Sequence, residues 1–147
     1  MKKKQKGMFI AGRALVGLFY IFTGANHFLD LNAMRNYAGS MGVPFPTAAV
    51  ILSGLLLLVA GITFLIGLKP EIGILSLTVF YIPVSFMMHP FWSMTGQTAQ
   101  TEMINFIKNM ALLGSALCFT ALPRPWPMSI DLKLKKASSA EQEPNAA

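Results

Sequence analysis

Charged positions are missing from two long stretches of this chain. Asn36 to Leu68 contains none, and neither does Ile72 to Thr101. A helix crosses a hydrocarbon layer of about 30 Å with roughly 20 apolar residues, and both stretches exceed that length. The apolar runs are Leu-rich, contain Gly and are too long for strands. A bilayer also requires backbone hydrogen bonds to close within each segment. Four helical spans follow: about Met8 to Phe28, Thr47 to Gly67, Glu71 to His89 and Glu102 to Leu122. The fold class is therefore all-α, an integral membrane bundle of four transmembrane helices.

The residues between the spans agree with these limits. Pro44 and Pro46 precede the second span, and Pro70 suits the first turn of the third. His89 stands before Pro90, where a helix tends to end. Thr98 or Thr101 can cap the fourth span, with Glu102 favourable in its first turn. Pro123, Pro125 and Pro127 stop that span. Trp126 among them reads as an interfacial anchor, with Phe91 and Trp92 anchoring the opposite interface. In the first outer loop, Asp30 is placed to cap a short helix carrying Leu31, Met34 and Tyr37, with Gly39 or Gly42 ending it.

Composition sharpens the reading. Of the 147 residues 54% are hydrophobic and 12% charged, about half the roughly 25% charge of a soluble domain. A soluble globule is excluded. The net charge of +6 does not indicate nucleic acid, because the basic residues gather at the two ends. Lys2, Lys3, Lys4 and Lys6 precede span one, Lys69 lies in the second loop, and Arg124, Lys133, Lys135 and Lys136 follow span four. The other side holds Arg35, with Lys108 just inside span four. That asymmetry predicts cytoplasmic N- and C-termini. A basic start before an apolar run also describes a secretory signal peptide, with Thr23 and Ala25 as a cleavage pair. The length of the run and the early Arg13 favour a retained signal anchor. One domain, 1–136, is expected, followed by a disordered cytoplasmic tail, 137–147. Cys118, the single cysteine, has no intramolecular disulfide partner.

Helical spacing sorts the polar residues into faces. In span one, Arg13, Gly17, Tyr20, Gly24 and His27 form one stripe, on which Gly17 and Gly24 allow a neighbouring helix to approach closely. Thr78, Tyr81, Ser85 and His89 form another on span three. Glu102, Asn105, Lys108 and Asn109 share an arc on span four. His27, His89, Asn105, Lys108 and Asn109 thus share one depth at the outer end and form a candidate ligand site, since polar groups within a membrane face the interior or water. Arg13 is the polar group of the cytoplasmic side. Each has a structural alternative. Lys108 snorkels to the interface, the asparagines join helices, and Arg13 reaches lipid phosphates. A haem held by His27 and His89 is disfavoured, as no attachment motif is present. No ligand spacing marks a metal site, and no motif announces a reaction.

The residues that carry a family pattern are Arg13-Ala14-Leu15-Val16-Gly17-Leu18-Phe19-Tyr20-Ile21-Phe22-Thr23-Gly24 with His27-Phe28, then Gly42-Val43-Pro44-Phe45-Pro46. His89-Pro90-Phe91-Trp92 and Asn105-Phe106-Ile107-Lys108-Asn109-Met110-Ala111-Leu112-Leu113-Gly114 complete it. In these the chain, from about Arg13 to Leu134, resembles the DoxX family. The resemblance implies a four-span, multi-pass protein of the bacterial cytoplasmic (inner) membrane. It also implies a subunit or accessory of a quinone-linked oxidoreductase complex, with redox protein partners and quinone as the cofactor to consider. Many relatives carry a glutamate in the second span about where this chain has Leu57, so a proton-linked role of that acid does not transfer. The alternatives are a small-solute carrier, which at four short spans requires a homo-oligomer, and a non-catalytic scaffold in the lipid bilayer.

The charge asymmetry makes a prediction independent of the family. Fusions at Gly39 and Gln97 should be active with an exported reporter and silent with a cytoplasmic one; cytoplasmic activity at either position overturns the orientation.

Overall fold

The computed structural model describes residues 2–142 and, among these, consists of helices and short connections. In chain order they are α1 (Lys3–Leu29), α2 (Leu31–Ser40), α3 (Pro46–Ile66), α4 (Pro70–Met88), α5 (Gly96–Cys118) and α6 (Ile130–Gln142), with single 3-10 turns at Phe91–Ser93 and Phe119–Ala121. α1, α3, α4 and α5 are long and apolar enough to cross a membrane. They pack in the order α1–α3–α4–α5, with α2 lying on α3. The start of α1 and the segment leading into α6 lie at one end of the bundle, here the terminal end. α2 and the Phe91–Ser93 turn lie at the other, the distal end.

Lipid supplies no hydrophobic force to push helices together, so close van der Waals packing must do so. The α1–α3 contact achieves it with glycine on both sides. A Cβ at Gly17 would sit 2.9 Å from the Gly61 carbonyl oxygen, and one at Gly24 2.9 Å from the Leu58 amide nitrogen. The reverse view is the same: a Cβ at Gly61 would lie 2.7 Å from Gly17 O and from Ile21 N, and one at Gly54 2.9 Å from the His27 Cβ. α4 approaches α3 in the same way at Gly73, against Thr63 and Ala60. The helices close on a core containing Tyr20, Leu57, Ala60, Phe64, Leu77 and Trp126. Leu57 is fully buried. Leu15, Phe22, Leu52, Leu55, Leu75 and Ile82 are exposed, as lipid contact requires.

Four sequence expectations need correction. The fourth span begins at Gly96 rather than near Glu102, and its N-cap Thr95 makes no side-chain cap bond; Thr101 instead bonds back to the Gln97 carbonyl. Asp30 stands at the head of α2, but its side chain makes no cap bond. Trp126 is 2% exposed. It stacks 8° from parallel on Phe64 and meets Phe9 edge-on. The Pro-rich segment folds back across the terminal end and carries this indole into the core instead of leaving it at the interface. Finally, α6 carries helix through Gln142 where a disordered tail was expected from 137; the rest of that tail, 143–147, lies outside the described residues.

Gly61→Ala should lower the melting temperature in detergent, at a cost of roughly 1–3 kcal/mol, because both neighbours of the added methyl include backbone that cannot rotate away. Gly12→Ala, whose Cβ would meet nothing within 4 Å, should be neutral or slightly stabilising through helix propensity. Equal melting curves for the two variants would show that the α1–α3 contact is looser than this geometry.

Candidate functional site

At the distal end α3 and α4 part beneath α2, leaving a cleft of about 450 Å³. Its walls are apolar, from Met34, Val50, Leu56, Phe80, Val84 and Met87. Its polar groups are His27, Tyr37, Ser53 and His89. Pro83 lies in the same wall, inside α4. Lacking an N–H, it leaves the Val79 carbonyl without its ordinary helical donor, and Val79 also lines the cleft. An apolar cavity with a few convergent polar groups is the common form of a small-molecule site.

Both imidazoles are held through Nδ1. His27 Nδ1 is 2.8 Å from the Thr23 carbonyl oxygen, one turn back on α1. His89 Nδ1 is 2.7 Å from Glu102 Oε2. A carbonyl and a carboxylate oxygen can only accept, so in each ring Nδ1 carries the hydrogen. Nε2 is then an acceptor in the neutral ring and a donor in the charged one. The two rings come from different helices because α1 ends just past His27 and α4 ends at His89, its C-cap.

The His89 contact continues along α5. Asn105 Nδ2 donates to the same Glu102 Oε2 at 3.3 Å, and Lys108 Nζ donates to Asn105 Oδ1 at 3.0 Å. His89 and Glu102 are mostly buried, with side chains 15% and 14% exposed. Glu102, Asn105 and Lys108 follow one another at i, i+3 spacing, so one helix face presents the whole chain. On α2, burial first and the Glu102 charge second raise the Tyr37 hydroxyl above its ordinary value. Tyr37 therefore stays protonated, a donor at the cleft rim.

Of the residues singled out from sequence, His27 and His89 line the cleft. Asn105 and Lys108 do not; they reach it through Glu102 and His89. Asn109 is half-buried on α5, lines no part of the cleft and has no side-chain hydrogen bond among the described residues. Phe91 and Trp92 pack on Phe106 of α5. Tyr37, Ser53 and Pro83 were missed as site residues. Tyr37 had a signal in its place on the amphipathic loop helix; Ser53, in an apolar run, had none.

Arg13 belongs to the opposite end and to a different task. It is 4% exposed, with Nη1 donating to Pro127 O at 3.2 Å and Nη2 to Met128 O at 2.9 Å. It therefore clasps the returning segment instead of reaching lipid phosphate. Gly67, at φ 66°, completes the clasp, since a Cβ there would fall 2.6 Å from Arg13 Nη1. Next to it Ser129 accepts from Leu132 N at 3.1 Å and so caps α6. Between the two ends, Tyr81 OH donates to Tyr20 OH at 3.3 Å, among the unexposed Leu57, Phe64 and Leu77.

Comparison with known proteins agrees with this architecture. The DoxX family model matches residues 8–90. The chain is 28% identical over 125 residues, 84% of its own length and 88% of the relative's, to "Inner membrane protein YphA" of Escherichia coli strain K12. No solved structure matches. The chain belongs to the DoxX family and is an integral, multi-pass inner-membrane protein.

Proposed function

We propose that this protein binds a quinone or quinol in the distal cleft, as an accessory subunit of a membrane oxidoreductase complex, with its termini in the cytoplasm. The observation that supports it most is the pair of imidazoles held by Nδ1 at the wall of a mostly apolar cleft. Quinol hydroxyls donate, and two neutral Nε2 atoms accept. Quinone carbonyls accept, and protonated imidazoles or the Tyr37 hydroxyl donate. The apolar walls suit a ring that arrives from lipid. Glu102 beside His89 favours the imidazolium that forms when a quinol proton moves to Nε2, as a carboxylate does behind a general base. Oxidation of one quinol to quinone then delivers its two protons to the two Nε2 atoms, of His89 and His27, and its two electrons to a redox partner protein.

The carrier reading is less well supported. A carrier needs a polar route between the two ends, and the bundle interior is closed by the Tyr20–Tyr81 pair and by Leu57, Phe64 and Leu77. Arg13, the cation that suggested a substrate path, is committed to backbone carbonyls.

The test is binding of a short-chain ubiquinone and its quinol to the protein in detergent, measured by calorimetry. His89→Phe removes one Nε2 and should weaken quinol binding about tenfold, the loss of one hydrogen bond to an ionisable partner. Ser53→Phe fills the cleft and should abolish binding of both forms. Asn109→Ala, away from the cleft, should bind as the unaltered protein does. Undiminished binding in Ser53→Phe, or no binding in the unaltered protein, overturns the reading.

A further inference from the structure

The distal cleft has its mouth toward lipid. On α4, Val79, Pro83 and Met87 follow one another at steps of four and so lie on one line of the helix. All three line the cleft, and all three are exposed. Their neighbours Leu75, Ile82 and Phe86 are exposed and line no part of it. On α3 the matching edge is Leu52, which lines the cleft and is exposed, beside the lipid-facing Leu55. The cleft therefore opens sideways between α3 and α4. At the distal end α2 covers it, through Met34, Tyr37 and Ala38.

The mouth exists because α3 and α4 meet closely at one end only. Near the terminal end Gly73 fits against Ala60 and Thr63. Toward the distal end α4 presents Phe80 and Val84 to the cleft instead, and side chains of that size hold the helices apart. Val79 lies ten residues before His89, about 15 Å along α4 at 1.5 Å per residue. That is half of a hydrocarbon layer of about 30 Å. The mouth thus faces the acyl chains of the distal leaflet. Polar side chains are graded along this depth. His27, Tyr37 and His89 stand toward the distal limit and Ser53 lies lower, while below Ser53 the walls are Leu56, Val79 and Phe80.

We propose that the ligand of this cleft is a lipid-borne molecule with a hydrocarbon tail, which enters sideways from the distal leaflet and leaves its tail in the α3–α4 mouth. The proposal rests on the reading of the cleft as a quinone site. It adds the substrate class, a prenylated quinol, and makes Leu52, Val79 and Met87 the residues beside the tail. Hydrogen bonds at the distal end place the ring, and the tail needs no polar partner. Lipid is as apolar as these side chains, so the mouth contributes little attraction. Its role is to let out a chain too long to be enclosed with its ring in about 450 Å³.

The test compares two ligands of the full chain in lipid nanodiscs: a benzoquinone ring without a side chain, and the same ring bearing a geranylgeranyl chain. Leu52→Trp and Val79→Trp stand at the two lips of the mouth. Each should lower the ratio of prenylated to unprenylated affinity about tenfold, because the tail can no longer leave without overlap. Both positions are exposed, so the larger side chain does not disturb the core. Leu75→Trp, exposed one turn along α4 but away from the cleft, should leave the ratio unchanged. An unchanged ratio in both lip variants overturns the proposal and leaves a ring-only quinone site standing, and so does equal weakening of both ligands. Binding of neither ligand to the unaltered protein ends the quinone reading instead. The mouth is then judged by lipid itself, with a bimane label on Ser53→Cys in a Cys118→Ser background. Phospholipid brominated on its acyl chains should quench the label, and aqueous iodide should not. Quenching by iodide alone overturns the lateral mouth.

Discussion

Backbone-to-backbone approach of α1 and α3 is the contact on which the rest depends. Gly17 and Gly24 meet Gly61 and Gly54, two pairs seven residues apart on antiparallel helices. Seven residues are nearly two full turns, so both pairs stay on one line and the helices remain in contact along most of the membrane. Because lipid is as apolar as leucine, the energy of this contact comes from dispersion and from nothing else of comparable size. Its consequence is positional. With α1 drawn against α3, Tyr20 is carried inward to Tyr81, and His27 is delivered to the wall of the cleft that α3 and α4 enclose.

The two ends of the bundle handle polar groups by different means. At the terminal end Arg13 is buried against two carbonyls that belong to a non-helical segment, and helix backbone could not have offered them. A charge buried this way is expensive to leave unpaired, and Nη1 and Nη2 find carbonyls while Nε does not. The segment is fixed further by the Arg124–Glu71 ion pair and by Asp131, which accepts from Lys69 N at 3.0 Å. At the distal end the polar groups are instead chained side chain to side chain, from His89 through Glu102 and Asn105 to Lys108. The first arrangement closes its end of the bundle. The second leaves two ring nitrogens unengaged among the described residues, beside a mostly apolar cleft, which is why the functional reading rests there.

The existence, number and approximate limits of the four spans were determined by the sequence alone, because the hydrocarbon layer tests each segment separately for length and charge. The glycine stripe of α1 was legible for a similar reason: the 3.6-residue period depends on local backbone geometry. So was the shared depth of His27 and His89, since depth is counted along the chain from a span's end. What tertiary structure decided was azimuth and partner. Which helix faces which glycine, that Glu102 and not Lys108 meets His89, and that Ser53 lines a cleft all depend on how helices rotate about their axes. Length and hydropathy do not record that rotation. Trp126 shows the limit most clearly. Between prolines at the end of an apolar run it has the composition of an interface anchor, and it is buried because Arg13, more than a hundred residues earlier, turns the chain back over the core.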